Sequence, residues 1–301
     1  MKKVAVLLST YNGEKYLEEL LDSVINQKGN FELSIIVRDD GSSDNTLEIL
    51  QRYQDIGDIK WYQGKNLGAP RSFLNLLEKN KNYDYYAFCD QDDVWLPNKI
   101  ERSLSKFNND DLTPQLVFCN SYIVNEELKP MGKLYNKKLA LDPYSLSCVT
   151  CIQGAAMIFN NALAQLIRSN IHPRIILFHD SYVSKICSSV GGDISFIDEC
   201  LMLYRQHSNN VLGIKKGILS KISNLILIFK HEAVPLYAQA EEIYDNYESL
   251  MNKDVARWYA ELSKYNTTLL RRIKFAFSNK YKCDSLKWAV VNRIRFLVGN
   301  A

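Results

Sequence analysis

A chain of 301 residues with 47% apolar and 24% charged side chains has the composition of a globular protein, with room for one large domain or a domain and an appendage. The seven cysteines are an odd number set mostly in apolar runs, which excludes a disulfide framework, and no apolar run approaches the ~18 residues that span a bilayer. The net charge of +3 hides an asymmetry, because residues 1–214 carry 22 Lys+Arg against 26 Asp+Glu while residues 215–301 carry 15 against 8.

Residues 4–8 form an unbroken apolar run, the mark of a central parallel strand, and lead into the loop Ser9-Thr10-Tyr11-Asn12-Gly13. This first strand is too short for the core of a signal peptide, so a cytoplasmic protein is expected. Tyr16, Leu17, Leu20, Leu21, Val24 and Ile25 then recur at helical spacing. A second strand over 33–37 ends in Arg38-Asp39-Asp40-Gly41-Ser42-Ser43-Asp44, and the next helix carries Leu47, Ile49 and Leu50, with Ser43 or Asp44 placed to cap it. A third strand, 59–63, leads through residues 64–71 into a helix with Phe73, Leu76 and Leu77. The fourth, 85–88, delivers Asp90-Gln91-Asp92-Asp93, and Pro97 is expected to open the helix of Ile100 and Leu104. Four strand–helix alternations predict a parallel, doubly wound sheet with its crevice at the carboxyl ends of the strands, where every polar loop so far lies.

No Gly-x-Gly-x-x-Gly and no Walker A loop follows any of these strands, which argues against a dinucleotide fold and a P-loop NTPase. Three carboxylates within residues 90–93 are costly side by side unless a cation shares them, and Mg²⁺ or Mn²⁺ held jointly with phosphate oxygens suits that need. A solvated acidic turn that caps the next helix is the plainer account. Tyr11 can stack on a flat base, and Asp39 or Asp40 can accept from a base N–H or a ribose hydroxyl. The two aspartates equally suit a capped turn, and Tyr11 edge packing.

Together, Thr10-Tyr11-Asn12, Asp39-Asp40-Gly41-Ser42 and Asp90-Gln91-Asp92-Asp93 resemble the motifs of family 2 glycosyltransferases of GT-A fold. The likeness covers about residues 1–214 and is strongest to bacterial rhamnosyltransferase-like members that build surface polysaccharides such as capsule and O-antigen. It implies a Rossmann-like, mostly parallel sheet with helices on both faces. It also implies that Asp40 contacts the nucleobase, with Thr10, Tyr11, Asn12 and Asp39 beside it, that Arg71 reaches base or phosphate, that Asp90 lies near the ribose or bound water, and that Asp92 is the main metal ligand.

Further on, residues 116–120 read as a short strand and 121–138 as polar connection. Residues 151–159 are apolar, with Gly154 allowing close backbone approach. The resemblance sets this segment against the acceptor sugar, making Gln153 and Gly154 acceptor-side residues, although a core strand with a bulge explains them too. Asp180 follows an apolar run and begins a helix with Val183, Ile186 and Cys187, as an N-cap would. A transferase acting on a sugar hydroxyl also needs a carboxylate apart from those on the metal; the resemblance places the general base at Asp180, with His179 the runner-up. Strands over 194–197 and 200–204 lead to Arg205-Gln206-His207. By resemblance His207 completes the metal site or touches the diphosphate, though a structural histidine fits as well, and Arg205 could neutralise diphosphate charge. The Asp90–Trp95 and Tyr204–His207 motifs point by resemblance to dTDP-rhamnose as donor, with UDP-galactose or UDP-glucose the alternatives.

From residue 215 a basic helical extension is expected to follow the catalytic domain of residues 1–214. Ile218, Leu219, Ile222, Leu225, Ile226 and Phe229 read as one amphipathic helix and residues 234–250 as another. Residues 264–301 hold nine Lys+Arg against one acid, interleaved with apolar side chains. This suits the anionic inner face of a cell membrane, where a polyprenyl-linked glycan acceptor would sit. Packing on the catalytic domain, or a homodimer through these helices, are the other readings. Nucleic acid is not expected beside an acidic body without a binding module. The expectation is metal-dependent, inverting sugar transfer. A nucleotidyltransferase and a non-catalytic nucleotide-sugar-binding subunit are its rivals, and the glycine-rich triphosphate loop of the former is missing.

Overall fold

A computed structural model describes residues 1–149, 151–207, 235–283 and 286–299. The amphipathic helix expected over Ile218–Phe229 lies outside the described residues. The chain runs β1 (Lys2–Thr10), α1 (Leu17–Ile25), β2 (Phe31–Asp39), α2 (Thr46–Asp55), β3 (Lys60–Gln63), α3 (Ala69–Lys79), β4 (Tyr85–Asp90), β5 (Val94–Trp95), α4 (Lys99–Leu104), β6 (Gln115–Val124) and β7 (Pro130–Lys133). It continues with α5 (Pro143–Cys148), β8 (Met157–Asn160), α6 (Asn161–Ser169), α7 (His179–Ser189), β9 (Asp193–Arg205), then α8 (Leu236–Tyr247), α9 (Lys253–Leu262), α10 (Leu269–Ala276) and α11 (Leu286–Val298).

One sheet takes the order β3-β2-β1-β4-β8-β6-β9-β5, with β7 added to β6. Its first half is parallel, as the buried runs Val4–Leu8 and Tyr85–Cys89 require. Beyond β4 the sheet is mixed: β8 lies antiparallel between β4 and β6, whereas β6 and β9 are parallel. Parallel strands β3 to β4 therefore end together at one edge, and the loops after them form its rim.

Several local expectations are corrected. The connection over 121–138 contains the rest of β6 and all of β7, whose four residues are all exposed and so carry no apolar alternation to betray a strand. The two strands expected over 194–204 are one: Asp198 and Glu199 are extra residues opposite Cys119–Asn120, a bulge pinned by Asn120 Nδ2 donating to Asp198 Oδ1 at 3.0 Å. Pro97 does not open α4, which starts at Lys99 after the cap residue Asn98. Asn45 is the cap residue of α2, and Asp44 Oδ1 accepts from Thr46 N at 3.1 Å.

Helices α8 to α11 share the hydrophobic core of the sheet. Tyr247, Tyr259, Tyr265, Phe275 and Phe296 are buried in it, each such side chain stabilising the fold by about 1.5–3 kcal/mol. Polar contacts fix the docking: Trp258 Nε1 donates to Ser147 Oγ at 2.9 Å, Tyr247 Oη to the Leu166 carbonyl at 3.1 Å, and Arg174 pairs with buried Glu242 at 3.0 Å and with Asp245 at 2.8 Å. Among the described residues no helix is long and apolar enough to cross a membrane.

Candidate active site

Strand register assembles the site. Thr10 lies opposite Asp39, and Ser9 opposite Asp90, so three loops leave the sheet side by side. Asp39 is buried and accepts from Thr10 Oγ1 at 3.1 Å, Gly41 N at 3.0 Å, Ser42 N at 2.9 Å and the Ser42 hydroxyl. Asp40 is also buried, ion-paired to Arg38, and accepts from Leu67 N at 2.8 Å and Gly68 N at 2.9 Å. Arg38 in turn donates to Ser72 Oγ at 2.9 Å and the Lys65 carbonyl at 2.8 Å. These carboxylates thus tie the rim loops together, and they do so from beneath the surface. A buried pair of this kind is costly to break from one side. Nothing in the sequence marked Arg38, which reads as the polar end of a strand.

Above them the Tyr11 ring is 49% exposed. Its backbone is clamped by the Gln91 amide, which accepts from Tyr11 N at 2.8 Å and donates to Tyr11 O at 3.0 Å. A Cβ at Gly13 would stand 2.4 Å from Gln91 Oε1, so only glycine leaves room for the clamp. Asn12 takes the left-handed conformation, φ 47°, and its Oδ1 accepts from Ser43 N at 2.9 Å; asparagine tolerates that backbone. Gln91 was hidden from sequence reading by its acidic neighbours.

The acidic corner follows β4. Asp92 Oδ2 lies 2.8 Å from His207 Nε2. Asp90 is half-buried, and its carboxyl is pushed up to about 8 by burial and then by the charges of Asp92 and Asp180. Asp93 is fully buried: Oδ1 accepts from Arg205 N at 3.1 Å, while Oδ2 has no hydrogen-bond partner among the described residues. Burial and the neighbouring Asp92 and Asp90 push its carboxyl well up. Lys99 is buried as well, its Nζ 3.3 Å from the Trp95 ring centroid, and burial lowers its pKa. Carboxyls crowded until they resist ionising fit a cation in their midst. No trio of His, Cys, Asp or Glu converges on one point among the described residues, and Mg²⁺ or Mn²⁺ commonly takes one or two carboxylates with the rest of its shell from phosphate and water.

Arg205 has other work than the diphosphate role expected of it. It is 2% exposed and spends its guanidinium on the Asp92 carbonyl at 2.8 Å, the Glu126 carbonyl at 2.6 Å and the Glu19 carboxylate. Tyr16 lies between it and His207, with Arg205 Cζ 4.4 Å from the ring centroid and the two rings 5.1 Å apart. Arg205 therefore braces the loop that presents Asp92.

Asp180 does not cap α7. Phe178 is the cap residue and Asp180 sits in the first turn, where Oδ1 accepts from Ser181 N at 2.6 Å and Oδ2 from Gly154 N at 3.1 Å. Burial raises its carboxyl to about 6, against the lowering pull of these bonds and of Lys185. His179 is overturned as an alternative base: its ring stacks on Phe73 at 4.0 Å and meets Phe88 edge-on at 4.9 Å, and burial drives its pKa down to about 3. A Cβ at Gly154 would lie 2.5 Å from His179 Nε2, which explains the glycine. Beside it Gln153 Oε1 accepts from Ser121 Oγ at 3.1 Å, and its Nε2 is buried without a partner among the described residues. Arg71 is exposed in the first turn of α3, with Nη2 3.4 Å from the Pro173 carbonyl. Asp90 thus lies within electrostatic reach of both Asp92 and Asp180, Asp92 meets His207, and Gln91 ties this corner to Tyr11.

Comparison with known proteins bears on the fold that positions this site. Residues 5–167 match the family model for glycosyl transferase family 2. A dTDP-rhamnosyl transferase, RfbG, of Shigella flexneri is 30% identical over 238 residues, 73% of this chain and 78% of that protein. Among solved structures, S. aureus TarS 1–349 in complex with UDP aligns over 99% of this chain and 81% of its own, with a TM-score of 0.55 at 19% identity. The mannosyltransferase PcManGT of Pyrobaculum calidifontis, in complex with GDP-Man and Mn²⁺, aligns over 99% and 85% with a TM-score of 0.52 at 13% identity. At such identities the two structures speak for a common fold.

Proposed function

This chain belongs to glycosyl transferase family 2 and transfers a sugar from a nucleotide donor, and from that premise we propose that it is a metal-dependent inverting enzyme with Asp180 as its base. The observation that carries the reading is a carboxylate apart from Asp92, oriented by two backbone N–H groups and held near pH 6. That value leaves it ionised at neutral pH yet basic enough to take a proton.

In this reading the base of the donor stacks on Tyr11, in a cleft whose walls are tied by Thr10, Asn12, Asp39 and Asp40, with Arg71 over its mouth. The ribose lies near Asp90 and the diphosphate near Asp92. Asp92 and His207 would hold Mg²⁺ or Mn²⁺, and the ion when bound offsets charge on the departing diphosphate. The acceptor hydroxyl, positioned beside Gln153 and Gly154, attacks the anomeric carbon while the bond to the diphosphate breaks, and Asp180 takes the hydroxyl proton. One displacement inverts the anomeric centre. Holding both substrates in line supplies much of the rate.

The finer identity is also proposed: L-rhamnose from dTDP-rhamnose, transferred to a polyprenyl-linked glycan during cell-surface polysaccharide synthesis in the cytoplasm. The RfbG likeness supports rhamnose, and the TarS complex with UDP keeps a UDP-hexose donor as the second reading. Residues 1–214 would be the nucleotide-sugar domain and 215–301 a helical extension. Family membership sets aside a nucleotidyltransferase and a silent binding subunit. Asp180→Asn should lower turnover by roughly 10²–10⁴-fold while nucleotide affinity stays intact. Wild-type turnover in that variant would refute the assignment.

A further inference from the structure

Ten of the eighteen large apolar side chains exposed among the described residues lie between 269 and 298. Helix α11 is apolar on two faces. Val291 and Phe296 are buried against the core, while Leu286, Val290, Ile294 and Leu297, at spacings i, i+4, i+8 and i+11, form an exposed stripe. A helix already docked by one face has no internal need for a second. Helix α10 repeats the pattern, with Phe275 buried and Leu270 at 81% exposure opposite it.

The two helices lie side by side. Gly299, just past α11, lies against Arg272 in the first turn of α10, and the Arg293 guanidinium lies 5.7 Å from the Phe277 ring centroid at the far end of α10. The helices are therefore antiparallel, and Leu270 and Leu297 fall at the same end. Exposed Arg271, Lys280, Lys282 and Arg293 lie on the same two helices and the turn between them. A second copy of the chain is a poor partner for this face, because two-fold pairing would set like charge on like charge. An anionic lipid leaflet satisfies both features, since it takes apolar side chains at its acyl boundary and basic ones at its headgroups.

We infer that the α10–α11 hairpin is a membrane-docking face that seats the enzyme on an anionic lipid surface. This goes beyond the transfer reaction and does not rest on it, because vesicle binding requires neither donor nor acceptor. The test is co-sedimentation of the full chain with vesicles of phosphatidylcholine alone or mixed with phosphatidylglycerol, at low and high salt. The chain should pellet with the anionic vesicles, less so as salt rises. Arg271→Glu with Arg293→Glu should weaken binding by roughly tenfold or more, since one basic side chain near an anionic leaflet is worth about fivefold. Leu270→Ser with Leu297→Ser should weaken it as well, with melting temperature and nucleoside diphosphate binding unchanged in both variants. The inference is overturned if the chain ignores anionic vesicles at low salt or binds both kinds equally. It is equally overturned if the chain is a dimer that the leucine variant turns into a monomer.

Discussion

Asp180 and His179 are neighbours with opposite tuning. Burial raises the Asp180 carboxyl to about 6 and lowers the His179 imidazole to about 3. If Asp180 takes the proton, kcat/KM should fall as pH drops through about 6, and a profile flat from pH 7 to 5 would count against it. His179 has a different readout. Between its ordinary value near 6.5 and about 3, the unfolded chain binds a proton that the folded chain refuses, so stability falls with acidification over that window. His179→Gln should lose less melting temperature than the wild type between pH 7 and 5; equal losses would show that the ring titrates freely. Position was legible where strand ends announce themselves: the acidic run after β4 and the Arg205–His207 end of β9 do meet, through Asp92 and His207 at 2.8 Å. It was illegible where one residue supports another. Gln91 clamps Tyr11, and Arg38 offsets Asp40, through partners 80 and 2 positions away in sequence, and no spacing encodes those contacts.

At the scale of elements, the parallel half of the sheet was readable because strands buried on both faces are unbroken apolar runs. The second half was not. β7 lies wholly at the surface, and the bulge at Asp198–Glu199 interrupts β9 with charge, so periodicity ends where the strand does not. The same half holds a close approach in the site, where the short helical turn at Gly154 meets the start of α7. Gly154→Ala would force a methyl against the His179 ring, itself packed between Phe73 and Phe88. Neither ring can yield cheaply, so destabilisation of about 1–3 kcal/mol should accompany displacement of Asp180. Turnover should fall at least as far as stability does, with nucleotide affinity spared. An alanine variant of normal turnover and melting temperature would show that the approach is softer than the packing indicates.

Across the whole molecule, the acidic body and basic tail visible in the sequence correspond to a crevice lined with carboxylates and a helical end rich in Arg and Lys. Packing of α8 to α11 on the catalytic domain, one of the readings the sequence left open, is what the core shows; helices apolar on two faces, as α10 and α11 are, do not announce in sequence which face docks. Donor binding centres on the acidic corner, where β4 and the end of β9 bring Asp90, Asp92 and His207 together. Calorimetric titration of the full chain with a nucleoside diphosphate, with and without Mn²⁺, for wild type and Asp92→Ala, tests it most directly. Binding that strengthens with Mn²⁺ in the wild type and loses that dependence in the variant is the predicted result. Equal affinity in all four titrations would contradict it.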